Sequence, residues 1–190
     1  VTPKHTIINL GMPRSGTTIV QKMLAQGNDY FHIKLAENHP LHTCHSVAGL
    51  LTLAKLFRRH DCVVFVRTSR GIRDILDSQA AGEQLGHSPW FGREEIWALH
   101  GPEQANWAAQ IAPLASMESD KYDPVKVACV SVEYDDLADL EKRRAFLKRI
   151  ARHVPNSEPN FCAWWGFLDE HWGKRPANAG RLMERMRKQK

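Results

Sequence analysis

Apolar positions along the chain fall into two rhythms. TIINL at 6–10, YFHIKL at 30–35, CVVFVR at 62–67 and VKVACVSV at 125–132 are short apolar runs rich in β-branched and aromatic residues. Such runs predict buried strands. Between them, apolar residues recur at helical spacing. Ile19, Val20, Met23 and Leu24 predict a helix over 16–26. SVAGLLTLAKLFRRH, 46–60, predicts another, with a basic last turn that suits the negative end of the helix dipole. GIRDILDSQAA follows the third run and LADLEKRRAFLKRIARHV the fourth, both with helical patterns. EEIWALH and ANWAAQIAPLASM predict two helices broken around Gly101 and Pro102. From Pro155 onward the pattern is mixed, with Trp164, Trp165 and Trp172 ahead of the turn-like GKRPANAGR. Strands alternating with helices predict an α/β fold of three layers, a central and mainly parallel sheet flanked by helices. No repeat, low-complexity tract or linker divides the 190 residues, so one domain is expected over 1–190.

Composition narrows the class. The chain is 43% hydrophobic and 25% charged, as a folded globular domain is. A formal charge of +5 suits an anionic ligand. It is spread out, without the basic stripe and interleaved aromatics of a nucleic-acid binder, so no nucleic-acid partner is expected. Cys44, Cys62, Cys129 and Cys162 are widely spaced and form no CxxC pair, and no signal-peptide pattern appears. A reducing, cytoplasmic setting is the expectation. No apolar run approaches the ~18 residues of a membrane-spanning helix.

The chemistry begins at GMPRSGTT, 11–18, between the first strand and the first helix. Strand, glycine loop and helix start are the phosphate-cradle unit of a P-loop-like fold. In nucleotide triphosphatases such a loop reads G-x-x-x-x-G-K-[ST], where backbone N–H groups cradle phosphates, the Lys reaches the β/γ-phosphates and the hydroxyl holds Mg²⁺. Gly11 and Gly16 have that separation, but Thr17 stands at the Lys position and Arg14 lies inside the loop. The anion cradle and helix N-terminus remain, without the lysine.

PRSGTT after a strand resembles the 5′-phosphosulfate loop of sulfotransferases that use 3′-phosphoadenosine-5′-phosphosulfate (PAPS), and GMPRSGTT is most similar to the tyrosylprotein and related bacterial branch. RGIRDILDS places Arg70 and Ser78 at the spacing of the family's 3′-phosphate ligands, with Arg73 matching a further arginine of the tyrosylprotein branch. Arg67, nearer the end of its apolar run, competes with Arg70 for that role. VSVEYDDL is similar to the family's strand followed by [RF]-Y-E-D-L, which would make Tyr134 the adenine contact. GKRPANAGR stands where the family has a basic loop closing over the 3′-phosphate, with Lys174, Arg175 and Arg181 available. The resemblance covers roughly 5–80 and 125–181; 81–124 carries no motif of this kind.

The resemblance implies metal-independent, in-line transfer of a sulfuryl group from PAPS to an acceptor hydroxyl, with 3′-phosphoadenosine-5′-phosphate (PAP) as product. It implies that Arg14 neutralises the 5′-phosphate and bridging oxygen, and that Ser15, Gly16, Thr17 and Thr18 bind through N–H and hydroxyl groups. Lys34 would reach the transferring group. A general base is expected in HIKLAENHPLHTCH, with Glu37 first and His39 second, followed by His42 and His45. His39, His42, His45 and Cys44 also have the look of zinc ligands, but no second cluster completes a tetrahedral site, and no metal is expected. The acceptor, whether small molecule, carbohydrate or peptide, is not written in motifs. Two alternatives stay open: a P-loop nucleotide or nucleoside kinase, for which Asp135 would hold magnesium, and a non-catalytic nucleotide-binding module.

Overall fold

A computed structural model of the chain describes residues 5–34, 62–84, 86, 94–98, 100, 101 and 126–173. Four strands make one sheet: β1 (His5–Gly11), β2 (Phe31–Lys34), β3 (Cys62–Ser69) and β4 (Lys126–Glu133). Their order is β2-β1-β3-β4, and every pairing is parallel. The described helices are α1 (Thr17–Leu24), α2 (Ile72–Gln84), α3 (Leu140–Ala151) and α4 (Ser157–Gly173). A 3₁₀ turn, Asp135–Ala138, joins β4 to α3. The architecture is the expected α/β one. The predicted helix at 46–60 and most of the two predicted around Gly101 lie outside the described residues; 94–98 are helical.

Burial on both faces explains why these strands read as unbroken apolar runs. All eight positions of β3 are buried. Ile7, Val64, Val66 and Val130 form one core with Val20 and Met23 of α1, Phe146 and Ile150 of α3, and Trp164 and Leu168 of α4. Their strand neighbours Ile8, Leu10, Val63 and Phe65 alternate to the opposite face and are fully buried too. A second apolar cluster joins Met12 to Ile75 and Leu76 of α2 and to Ile96.

One element departs from the sequence pattern. Residues 157–173, expected to be mixed, are a continuous helix. Apolar side chains lie on several sides of it: Trp164 and Leu168 are buried, while Phe161, Trp165, Phe167 and Trp172 pack on the core's margin. A helix apolar nearly all round has no stripe for periodicity to find. Pro159 falls in its first turn, where a missing N–H is harmless. The helix is tied down by polar contacts. Asn160, 1% exposed, donates to the Asn28 and Pro155 carbonyls and accepts from the Asn28 N–H. Trp164 Nε1 donates to the Tyr30 hydroxyl, which donates to the Leu24 carbonyl. Arg143 of α3 reaches Asp169 at 3.0 Å and lies over the Trp165 ring.

Strand order and register place the chemistry. After β1 the chain pairs outward to β2, then returns to the other side of β1 for β3 and β4. The crevice at such a reversal, beyond the carboxyl ends of the strands, is where open α/β sheets bind ligands. Gly11 pairs with Thr68, and Ser69 with Glu133. The three strands therefore finish nearly level, and the residues that follow them, 12–16, Arg70 and Tyr134, emerge side by side.

Candidate functional site

The loop after β1 holds its shape with its own donors. Ser15 N–H and Ser15 Oγ both bond to the Met12 carbonyl, at 3.1 and 2.7 Å. Thr68 Oγ1 of β3 lies 3.2 Å from Ser15 Oγ. Since the Ser15 hydroxyl proton is committed to Met12, Thr68 is the donor in that pair. Ser15, expected to offer its N–H and hydroxyl to a ligand, is fully buried and builds the loop instead. Asn9 of β1 supports the helix start from below, its Nδ2 donating to the Thr17 carbonyl at 2.7 Å.

Gly16 caps α1 in a left-handed conformation with φ 101°, and no side chain caps the helix. Ile19 and Val20 N–H groups make the first bonds back to the Gly16 carbonyl. The N–H groups of Gly16, Thr17 and Thr18 therefore lie ahead of the helix's own bonding, at its positive end. The first turn carries no acidic residue to offset that end. Of the loop hydroxyls expected to bind, Thr17 is 2% exposed and Thr18 is exposed.

Lys34 ends β2 beside this helix start. Its Nζ donates to Thr18 Oγ1 at 3.2 Å. Thr18 stands where a nucleotide triphosphatase has the hydroxyl that holds Mg²⁺. An ammonium therefore sits at the hydroxyl where such a loop would place a metal, and it comes from β2 rather than from the loop.

On the other side stand Arg70 and Tyr134. β3 continues to Ser69, two residues beyond Arg67. Arg67 is thus inside the strand, paired in register with Leu10 and Ser131 and 2% exposed, while Arg70 is the arginine at the edge. The Arg70 guanidinium lies 4.6 Å from the centroid of the Tyr134 ring, 3.9 Å from Asp135 Oδ1 and 3.5 Å from the Arg14 carbonyl. All three are loose contacts. Its buried Nε has no hydrogen-bond partner among the described residues. Tyr134, 5% exposed, is bonded through its N–H to the Ser69 carbonyl at 2.7 Å. Its ring is bordered by Gly16, Arg70 and Trp172. Tyr134 thus forms a wall under the loop. Asp135 and Asp136 fall in the 3₁₀ turn, and the helix cap of α3 is Asp139, whose side chain accepts from the Lys142 N–H.

Arg14 has φ 64°, and its guanidinium crosses to α2, where it lies against Gly82. The resemblance puts it over the 5′-phosphate; here it rests on the helix after β3. Ser78 is half-buried one turn earlier on α2, and Arg73 is exposed in the first turn. Glu37, His39, His42, His45, Cys44, Lys174, Arg175 and Arg181 lie outside the described residues. Among the described residues no three His, Cys, Asp or Glu side chains group as metal ligands, and no helix is long and apolar enough to cross a membrane.

Three participants had no motif to announce them. His100 Nε2 lies 3.0 Å from the Arg70 carbonyl and is the donor to it. Trp172 packs on Tyr134 with ring centroids 5.4 Å apart. Gly82 lies just past the helical pattern GIRDILDSQAA, 71–81, and no motif includes it.

A helix start without a side-chain cap beside Lys34 suits one anionic group, and Arg70, whose buried Nε has no hydrogen-bond partner among the described residues, suits another. Comparison of the chain with protein-family models, with curated proteins and with solved structures returned no match.

Proposed function

We propose that the chain is a sulfotransferase that moves a sulfuryl group from PAPS to an acceptor hydroxyl without a metal ion. The observation that carries this reading is Lys34 Nζ at 3.2 Å from Thr18 Oγ1. A kinase loop needs Mg²⁺ at that hydroxyl and a lysine at position 17. Here the hydroxyl already has an ammonium and position 17 is a buried threonine.

PAPS supplies an activated sulfuryl group, whose charge is lower than that of a γ-phosphoryl group. The chain's own residues would do the rest by positioning and electrostatics. N–H groups of Gly16, Thr17 and Thr18 hold the 5′ end of the donor at the positive end of α1. Lys34 stands beside Thr18 and stabilises negative charge as it grows on the leaving oxygen. Arg70 and Ser78 face the 3′-phosphate, where the fork of a guanidinium suits a phosphate edge. Tyr134 fixes the spacing between loop and Arg70. The base that takes the acceptor proton is assigned, as in the sequence reading, to Glu37 or His39.

The test is transfer from PAPS to a broad panel of phenols, sugars and tyrosine peptides in EDTA, with product identified by mass. Sulfated product is expected. Phosphorylated product from ATP with Mg²⁺, and none from PAPS, would establish the kinase alternative. Binding of PAP with no transfer to any acceptor would leave a non-catalytic nucleotide-binding module.

A further inference from the structure

We propose that Gly82 is a positioning residue: it seats the Arg14 guanidinium on α2 and so directs it to the donor's 3′-phosphate rather than to the 5′ end. The proposal rests on the donor assigned above. A Cβ at Gly82 would lie 2.2 Å from Arg14 Nη2, 3.2 Å from Cζ and 3.7 Å from Nη1. The Nη2 end of the guanidinium therefore fills the space a side chain at this position would need.

Glycine is a poor choice for the interior of a helix. Gly82 is buried near the end of a thirteen-residue helix and has no positive φ to justify it. Room for Arg14 is what its missing side chain provides. On the other side Arg70 Nη1 approaches the Arg14 carbonyl at 3.5 Å, and the Arg14 backbone has φ 64°. No carboxylate is paired with the Arg14 guanidinium among the described residues.

Ser78 and Gly82 are four residues apart on α2 and therefore share a face, with about 6 Å between them. Seated at Gly82, Arg14 lies within one helical turn of the Ser78 hydroxyl. Arg14, Ser78 and Arg70 then converge on one anionic group. The 5′ end is left to the α1 N-terminus and Lys34, which carry charge of their own.

Two measurements test this. The first needs no nucleotide: phenylglyoxal modification of Arg14, followed by peptide mass spectrometry, with exposed Arg73 as internal reference. Gly82→Leu should speed Arg14 modification several-fold relative to Arg73, and Gly82→Ala, which keeps the helix strong, should do so in part. Unchanged rates in both variants would overturn the seat. The second measures dissociation constants for PAP and for AMP, which lacks the 3′-phosphate. Arg14→Ala and Gly82→Leu should each weaken PAP about tenfold or more while leaving AMP unchanged. Gly82→Leu should add no further loss to Arg14→Ala. Equal losses for PAP and AMP would place Arg14 at the 5′ end and overturn the assignment. If the unmodified chain binds neither nucleotide, the donor reading and this 3′-phosphate assignment fall together, and phenylglyoxal alone decides whether Gly82 seats Arg14.

Discussion

The ring of Tyr134 occupies the space that a side chain on Gly16 would need. A Cβ built on Gly16 would lie 2.3 Å from Tyr134 Cδ2. Two strands separated in the sheet by β3 are thus joined beyond their ends, with the loop after β1 resting on the first residue beyond β4.

Gly16→Ala should therefore be costly for two separate reasons. It forces a side chain into a left-handed backbone and into an aromatic ring. A loss of about 2 kcal/mol or more is expected in urea unfolding. The loss should shrink when Tyr134 is already alanine, because only the backbone strain then remains. An equal loss in both backgrounds would mean that the ring and the loop do not press on each other.

Lys34 is predicted to act on turnover. Lys34→Met should lower kcat about tenfold or more, the worth of one charge-assisted hydrogen bond, with a smaller effect on PAP affinity. Lys34→Arg should restore part of the rate. A change confined to KM would place Lys34 in donor binding alone.

The α/β fold and the elements around the loop at 11–18 are legible in the sequence. GMPRSGTT, the buried runs and the helix after β3 can be read locally, because a strand, a glycine loop and a helix start are contiguous in the chain. What was not legible depends on register. Arg67 and Arg70 compete in the sequence, and only the extent of β3 to Ser69 separates them. Ser15 reads as a ligand residue until its two donors are found turned to Met12. α4 was missed because a helix apolar on most sides has no period, and Gly82 because a glycine's reason lies in whatever crosses it.

The bond chain from Trp164 through Tyr30 to Leu24 anchors α4 to the end of α1. Burial pushes the Tyr30 hydroxyl up to about 12, so it stays a donor throughout the working range. Tyr30→Phe leaves Trp164 Nε1 without its acceptor and should cost about 1–3 kcal/mol. Trp164→Phe, which removes the donor instead, should cost less for the hydrogen bond and more for lost packing. Thermal unfolding of the two variants and their double distinguishes the terms.

Stability should fall on mild acidification. Burial holds the His32 and His153 imidazoles below their usual value of 6.5, with Arg152 adding to the effect at His153. The folded chain thus favours the neutral rings, while the unfolded chain takes up protons at higher pH. Their contribution is fully present above pH 6.5 and is lost as pH falls through the lower folded values. Tm measured from pH 7.5 down to 5 should decline, and the His32→Asn, His153→Gln double variant should decline less. Identical profiles would remove these two residues from the account.

The central claim is that the loop at 11–18 serves a 3′-phosphorylated nucleotide without metal. Calorimetric titration with PAP in EDTA, set beside ATP with Mg²⁺, tests it most directly. Saturable binding of PAP is expected, weakened about tenfold or more by Arg70→Ala, with no saturable heat from ATP and Mg²⁺. Saturation by ATP with Mg²⁺ and silence toward PAP would contradict it.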